Sequence, residues 1–134
     1  MTKTNSNKAN GSRFERVFAE ILADKGFWVH LIQDNRNGQP FDVIACHNNQ
    51  PYVFDCKVCS GSRFILSRME ENQILAMRRF LRTGNKNAYF AILINENIYV
   101  VHYTTLLDKY VSDEVSISEE LLRDLSEEII CVQR

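Results

Sequence analysis

The chain has 134 residues, 45% hydrophobic and 25% charged, with a formal net charge of -1. That suffices for one folded domain with a real core and excludes a disordered polymer. No apolar run reaches the roughly 18 residues that would span a bilayer. The near-neutral total gives no overall sign of a nucleic-acid-coating protein, but its distribution is uneven. Residues 1–107 hold 13 Lys and Arg against 9 Asp and Glu, whereas residues 108–134 hold 3 against 8. An acidic annex from about residue 108 therefore masks a mildly basic body.

The polar start, MTKTNSNKANGS, lacks an apolar h-region and reads as a flexible arm over residues 1–11. Residues 12–134 read as a single domain. Ser12-Arg13-Phe14-Glu15 matches a capping box, so a helix is expected from Ser12. Phe14, Val17, Phe18, Ile21 and Leu22 form its apolar face, and Gly26 ends it. Phe27 to Ile32 reads as a strand, and Asn37-Gly38 as a turn.

Two apolar runs, Phe41 to Cys46 and Tyr52 to Val58, flank Asn48-Asn49-Gln50, which predicts a tight hairpin. Asp42 lies in the first run and Asp55 in the second, with Lys57 two residues on. Strand side chains alternate, so Asp55 and Lys57 share a face. Charges inside sheet-forming sequence are costly unless paired, hydrated or bound. A divalent cation would balance both carboxylates, leaving Lys57 to face an anion.

Cys59 to Leu66 reads as a loop. Ser67-Arg68-Met69-Glu70 predicts a second capping box, opening a helix to about Arg82. Ala88–Ile94 and Ile98–Tyr103 read as strands, Thr104 or Thr105 and Ser118 as caps of short helices, and Ile129–Val132 as a last strand. Cys46, Cys56, Cys59 and Cys131 are expected as free thiols, consistent with a cytoplasmic location. Cys56 and Cys59 have C-x-x-C spacing, but nothing supplies a second ligand pair of fixed geometry.

The order helix, three strands, helix, strand, with these residues, resembles the PD-(D/E)XK nuclease superfamily. Glu15, Asp42 and Asp55-Cys56-Lys57 match its metal-site pattern. Phe64-Ile65-Leu66-Ser67, Gln73, Tyr89 to Leu93 and Ile98-Tyr99-Val100 narrow the resemblance to RecU-type Holliday junction resolvases, with the archaeal junction resolvases a close second. The interval from Gln33 to Pro40 is too short for the RecU-type stalk, which the archaeal type also lacks.

The resemblance implies an α/β, restriction-endonuclease-like fold: a central mixed sheet flanked by helices, with an α-β-β-β-α-β core. It implies a metal-dependent DNA endonuclease, foremost a homodimeric Holliday junction resolvase leaving a 5′-phosphate and a 3′-hydroxyl. Mg²⁺, replaceable by Mn²⁺, would be held by Asp42, Asp55, the Cys56 carbonyl and Glu15. Lys57 would act on the attacking water or on transition-state charge, and Gln73 would hold a ligand or the phosphate. Arg13, Arg63, Arg78, Arg79 and Arg82 are the candidate DNA contacts. The alternatives are a repair, nicking or restriction-type nuclease of the same fold, and a catalytically silent DNA-binding module. Plainer roles exist as well: Glu15 as a cap partner, Asp42 as a turn residue, Asp55–Lys57 as a surface pair, and Gln73 at a helix edge.

Overall fold

The computed structural model describes residues 3–32 and 40–132, with side chains from residue 10 onward. The Asn37-Gly38 turn and most of the interval that separates the two resolvase types lie outside the described residues. Helix α1 spans Lys3–Asp24. It therefore starts well before Ser12, and the expected arm over residues 1–11 is helical from Lys3. Ser12-x-x-Glu15 sits in the helix interior, so Glu15 is not a cap partner. Phe14, Phe18 and Leu22 recur at helical spacing and are buried. The end is as expected: Gly26 adopts φ 99°, Phe27 N donates to Leu22 O, and Gly26 N donates to Ala23 O. These two bonds form a Schellman motif.

Strands β1 (Trp28–Leu31), β2 (Val43–His47) and β3 (Gln50–Cys59) follow as antiparallel neighbours. Asn48 and Asn49 both take positive φ, 51° and 65°, as a two-residue hairpin turn demands. Next come β4 (Arg63–Ile65), a 3₁₀ turn (Leu66–Arg68) and helix α2 (Glu71–Arg82). The second expected capping box is displaced. Leu66 and Met69 both enter the core, Met69 is extended, and the cap becomes Glu70 paired with Gln73.

Strands β5 (Asn87–Ile94) and β6 (Asn97–His102) precede α3 (Tyr103–Val111), β7 (Ser116–Ser118), α4 (Glu119–Leu125) and β8 (Glu128–Cys131). The main sheet runs β1-β2-β3-β5-β6-β8, and β4 pairs with β7 in a small second sheet. Within the main sheet only β3 and β5 are parallel; α2 provides the crossover a parallel pair requires. The main sheet is covered on both faces. Phe14, Phe18 and Leu22 of α1 pack with Val43, Ala45 and Phe54 on one face. Met77 of α2 packs with Val53, Phe90 and Ile92 on the other. Ile117 and Leu122 join the α2-side core and β8 extends the sheet, so the acidic annex is a cap over the core.

Candidate active site

The site forms where β2 and β3 part. Their pairing runs to Val43 opposite Phe54. One residue earlier, Asp42 N donates to Phe54 O and Asp42 O accepts from Ile32 N, each at 3.0 Å. Before Asp42 the chain turns away, and Phe41 packs edge-on against Phe80 of α2 at 6.3 Å. The edge of β3 beyond Phe54 thus loses its strand partner. Cys56 N donates instead to Asp42 Oδ2, at 2.7 Å. A strand residue sends its N–H and C=O to the same side, so the Cys56 carbonyl faces the same fork.

Asp55 and Lys57 share the α2-side face with Val53, as the alternation predicted. Asp55 is 1% exposed and Lys57 9%. Gln73 Nε2 donates to Asp55 Oδ1 at 3.0 Å. Gln73 Oε1 accepts from Glu70 N at 3.2 Å, which fixes the amide's orientation. Lys57 Nζ stands 3.1 Å from Asp55 Oδ2 as an ion pair. No described donor meets that oxygen in hydrogen-bonding geometry.

Burial pushes the Asp55 carboxyl well above the usual carboxylate range; the Lys57 ammonium pulls it back, and the adjoining Asp42 carboxylate adds to the rise. The Asp42 carboxylate is thus close enough to disfavour ionisation of Asp55, and its Oδ2 is held beside β3 by Cys56 N. Asp42 and Asp55 therefore meet rather than diverging across the sheet. Two like charges held close together in a buried site repel, and one ammonium cannot neutralise both. The Cys56 thiol is likewise pushed up, by burial first, then by Asp42, Asp55 and Glu15. It stays protonated, and Cys56 and Cys59 point to opposite faces of β3, so the pair cannot close on one zinc.

Glu15 is half-buried on α1, and its charge reaches Cys56 from the α1 side. The five predicted polar groups thus come from α1, β3, α2 and the residue before β2 to one end of the sheet. Among the described residues, no three His, Cys, Asp or Glu side chains form a ready metal cage. The donor set suits a hard cation all the same. Mg²⁺ takes one or two carboxylates and keeps several waters, and Asp55 Oδ2, ion-paired with Lys57 but meeting no described hydrogen-bond donor, has lone pairs to offer it.

Among the described residues, none of the five candidate arginines pairs with Asp42 or Asp55. Arg13 borders an open groove of about 430 Å³ between α1 and the ends of β3 and β5. Arg63 is tied to Ser116, Nε to Oγ at 2.8 Å. Arg78, Arg79 and Arg82 are exposed on α2. Two features escaped the sequence reading. Arg68 donates to Val58 O at 2.7 Å and so closes the end of β3 just past Lys57; the false capping box hid it. Trp28 and His30 stack on the exposed edge strand, and their alternation with Val29 and Leu31 was the available signal.

A mixed sheet between helices, with an acid–x–lysine strand beside a second acid at the foot of the neighbouring strand, defines a restriction-endonuclease-like nuclease of the PD-(D/E)XK superfamily. Residues 6–131 match the family model described as archaeal Holliday junction resolvase (Hjc). The chain belongs to that family, whose members are metal-dependent endonucleases, so the archaeal one of the two expected resemblances is the right one. No curated protein matches the chain. Among solved structures, Archaeoglobus fulgidus Hjc, a Holliday junction resolvase from an archaeal hyperthermophile, matches with a TM-score of 0.61 and 19% identity. The match covers 83% of this chain and 89% of that one; at that identity it speaks for the fold.

Proposed function

We propose that this protein is a Mg²⁺-dependent endonuclease that resolves four-way DNA junctions, working as a homodimer in the cytoplasm. The observation that carries the reading is the meeting of Asp42 and Asp55 at the strand fork, with Lys57 3.1 Å from an Asp55 oxygen that lacks a hydrogen-bond donor. Asp42, Asp55 and the Cys56 carbonyl would hold the cation, and Glu15 would join them directly or through water. When bound, the cation polarises the phosphodiester and lowers the pKa of a coordinated water.

The chain's own groups do the rest. Gln73, locked by Glu70 N, holds Asp55 in one orientation. The Lys57 ammonium stands on the same face, where it stabilises charge building on the phosphate or steers the attacking water. Burial keeps water from screening these interactions. Two copies related by a two-fold axis would set two such sites on a two-fold substrate. Among the described residues, no helix is long and apolar enough to cross a membrane, which suits an enzyme working on DNA.

The test is a panel of four-way junction, duplex, flap and single-stranded DNA with Mg²⁺ or Mn²⁺, run beside Asp55→Ala and Lys57→Ala. Junctions should be cut in preference to the other forms, and both variants should lose at least about 100-fold in rate. Folded variants that cut at the wild-type rate would remove the proposed site. Preference for duplex or flap would leave a nuclease of another kind.

A further inference from the structure

We infer that Trp28 and His30 form a stacking platform for a nucleobase of the DNA strand that lies across the active site. The inference rests on the junction-nuclease reading above. β1 is an edge strand of the main sheet, and edge strands ordinarily avoid large exposed hydrophobic groups because these invite aggregation. Here the chain's one tryptophan is 62% exposed on that edge. Its ring and that of His30 are nearly parallel, with an interplanar angle of 8° and centroids 6.2 Å apart.

That separation is close to two layers of stacked bases at about 3.4 Å each. It also follows from the two-residue repeat of a strand, about 6.6 Å, which sets indole and imidazole as two nearly parallel rings on one side of the sheet. Base–aromatic stacking tolerates any sequence, because every base has a π face. A junction enzyme needs that property where bases unstack at the branch.

The location fits as well. Val29 and Leu31 turn toward the α1-side core, so Trp28 and His30 lie on the other face of the sheet, with Asp55 and Lys57. His30 pairs with Ile44 and Trp28 with Cys46, two and four residues along from Asp42. At about 3.3 Å per residue the rings lie roughly 7 and 13 Å along the strand from the carboxylate. This is about two to four nucleotides of a stacked strand at about 3.4 Å each. The neighbouring cross-strand positions, Ile44, Cys46 and Pro51, carry no charge. The surface therefore suits a base rather than a phosphate.

The lone tryptophan makes the test direct. The wild-type full chain, in chelator so that no strand is cut, is titrated with a synthetic four-way junction and with a duplex of the same sequence. DNA anisotropy and Trp28 emission are read together. The junction should quench Trp28 as it binds, and quench it less when abasic sites replace the nucleotides within four of the cleavage point. Trp28→Ala should bind the junction about 5- to 150-fold more weakly, whereas Trp28→Phe, which keeps a flat ring, should stay within about threefold of wild type. Binding with unchanged emission, equal quenching by the abasic junction, or an unaltered Kd for a folded Trp28→Ala would each overturn the platform while leaving the nuclease reading intact. A wild-type protein that neither binds nor cuts any junction would overturn both.

Discussion

Asp55 has 1% of its surface exposed, an ammonium 3.1 Å away, and one oxygen that no described donor satisfies. A cation-free protein bears the cost of that arrangement. Because the folded-state pKa of Asp55 lies above its unfolded value, the folded state holds its proton longer than the unfolded chain. Its contribution to stability is fully present below the unfolded value, about 3.9, and is lost as pH rises through the folded value. In chelator, the melting temperature of the wild type relative to Asp55→Asn should therefore fall as pH climbs from about 4. Mg²⁺ should raise the wild-type value most at the upper end, where the carboxylates have lost their protons and can bind it; a ligand at 100 times its Kd stabilises by about 2.7 kcal/mol. In Asp55→Ala the Mg²⁺-linked gain should vanish; a gain equal to wild type would place the cation elsewhere. Gln73 belongs to the same scale. Its amide joins Asp55 Oδ1 to the start of α2, so Gln73→Leu should reduce cleavage about 10- to 100-fold and raise the Mg²⁺ concentration for half-maximal rate. An unchanged Mg²⁺ dependence would make Gln73 a helix cap alone.

At the scale of elements, the β2–β3 hairpin is the part that sequence made most legible. Alternation put Asp55 and Lys57 on one face, and Asn48-Asn49 marked the turn. Both asparagines bear positive φ, which costs residues other than glycine about 1–2 kcal/mol and asparagine less. Asn49→Gly should therefore stabilise by several tenths to about 1 kcal/mol, read as a shifted urea midpoint with an unchanged m-value. Loss of stability would mean that the Asn49 side chain does more than tolerate the turn. Helix starts were less legible. Ser12-x-x-Glu15 has the capping pattern, but a cap works only where the preceding chain leaves the helix, and here the helix continues upstream to Lys3. Ser67 failed for another reason: burying both Leu66 and Met69 holds the chain out of the helix until Glu71. The pairing of β4 with β7 joins three-residue strands about fifty positions apart, and no local pattern announces such a pairing. For the same reason the hydrogen bond from Cys56 N to Asp42 was invisible, because it depends on where two strands separate. The site's members were readable one by one; the fork that gathers them was not.

Across the whole molecule, charge is divided rather than absent. Arg78, Arg79, Arg82 and Lys86 are exposed on α2 and the turn after it, while acidic residues crowd the segment after residue 108. Part of that acidity is engaged internally. Glu119 accepts from Tyr99 Oη at 2.6 Å and from Asn95 Nδ2 at 2.9 Å, and Glu128 pairs with Lys25 at 2.7 Å. The α2 arginines have no comparable partner among the described residues, which leaves them available to DNA phosphates. Each phosphate neutralised by Lys or Arg contributes about 0.9 to the slope of log K against log salt, because it releases condensed counterions. Junction binding by the wild-type protein should therefore weaken steeply between about 50 and 200 mM salt. Replacing Arg78, Arg79 and Arg82 together with glutamine should flatten the slope by about one for every phosphate left without its guanidinium. It should weaken junction and duplex binding to a similar degree, since phosphate contacts carry no information about branching. Trp28→Ala should do the opposite, lowering junction affinity with little change in slope. If the triple variant keeps the wild-type slope, the α2 arginines are solvated surface and the DNA path runs elsewhere, past Arg13 or Arg63.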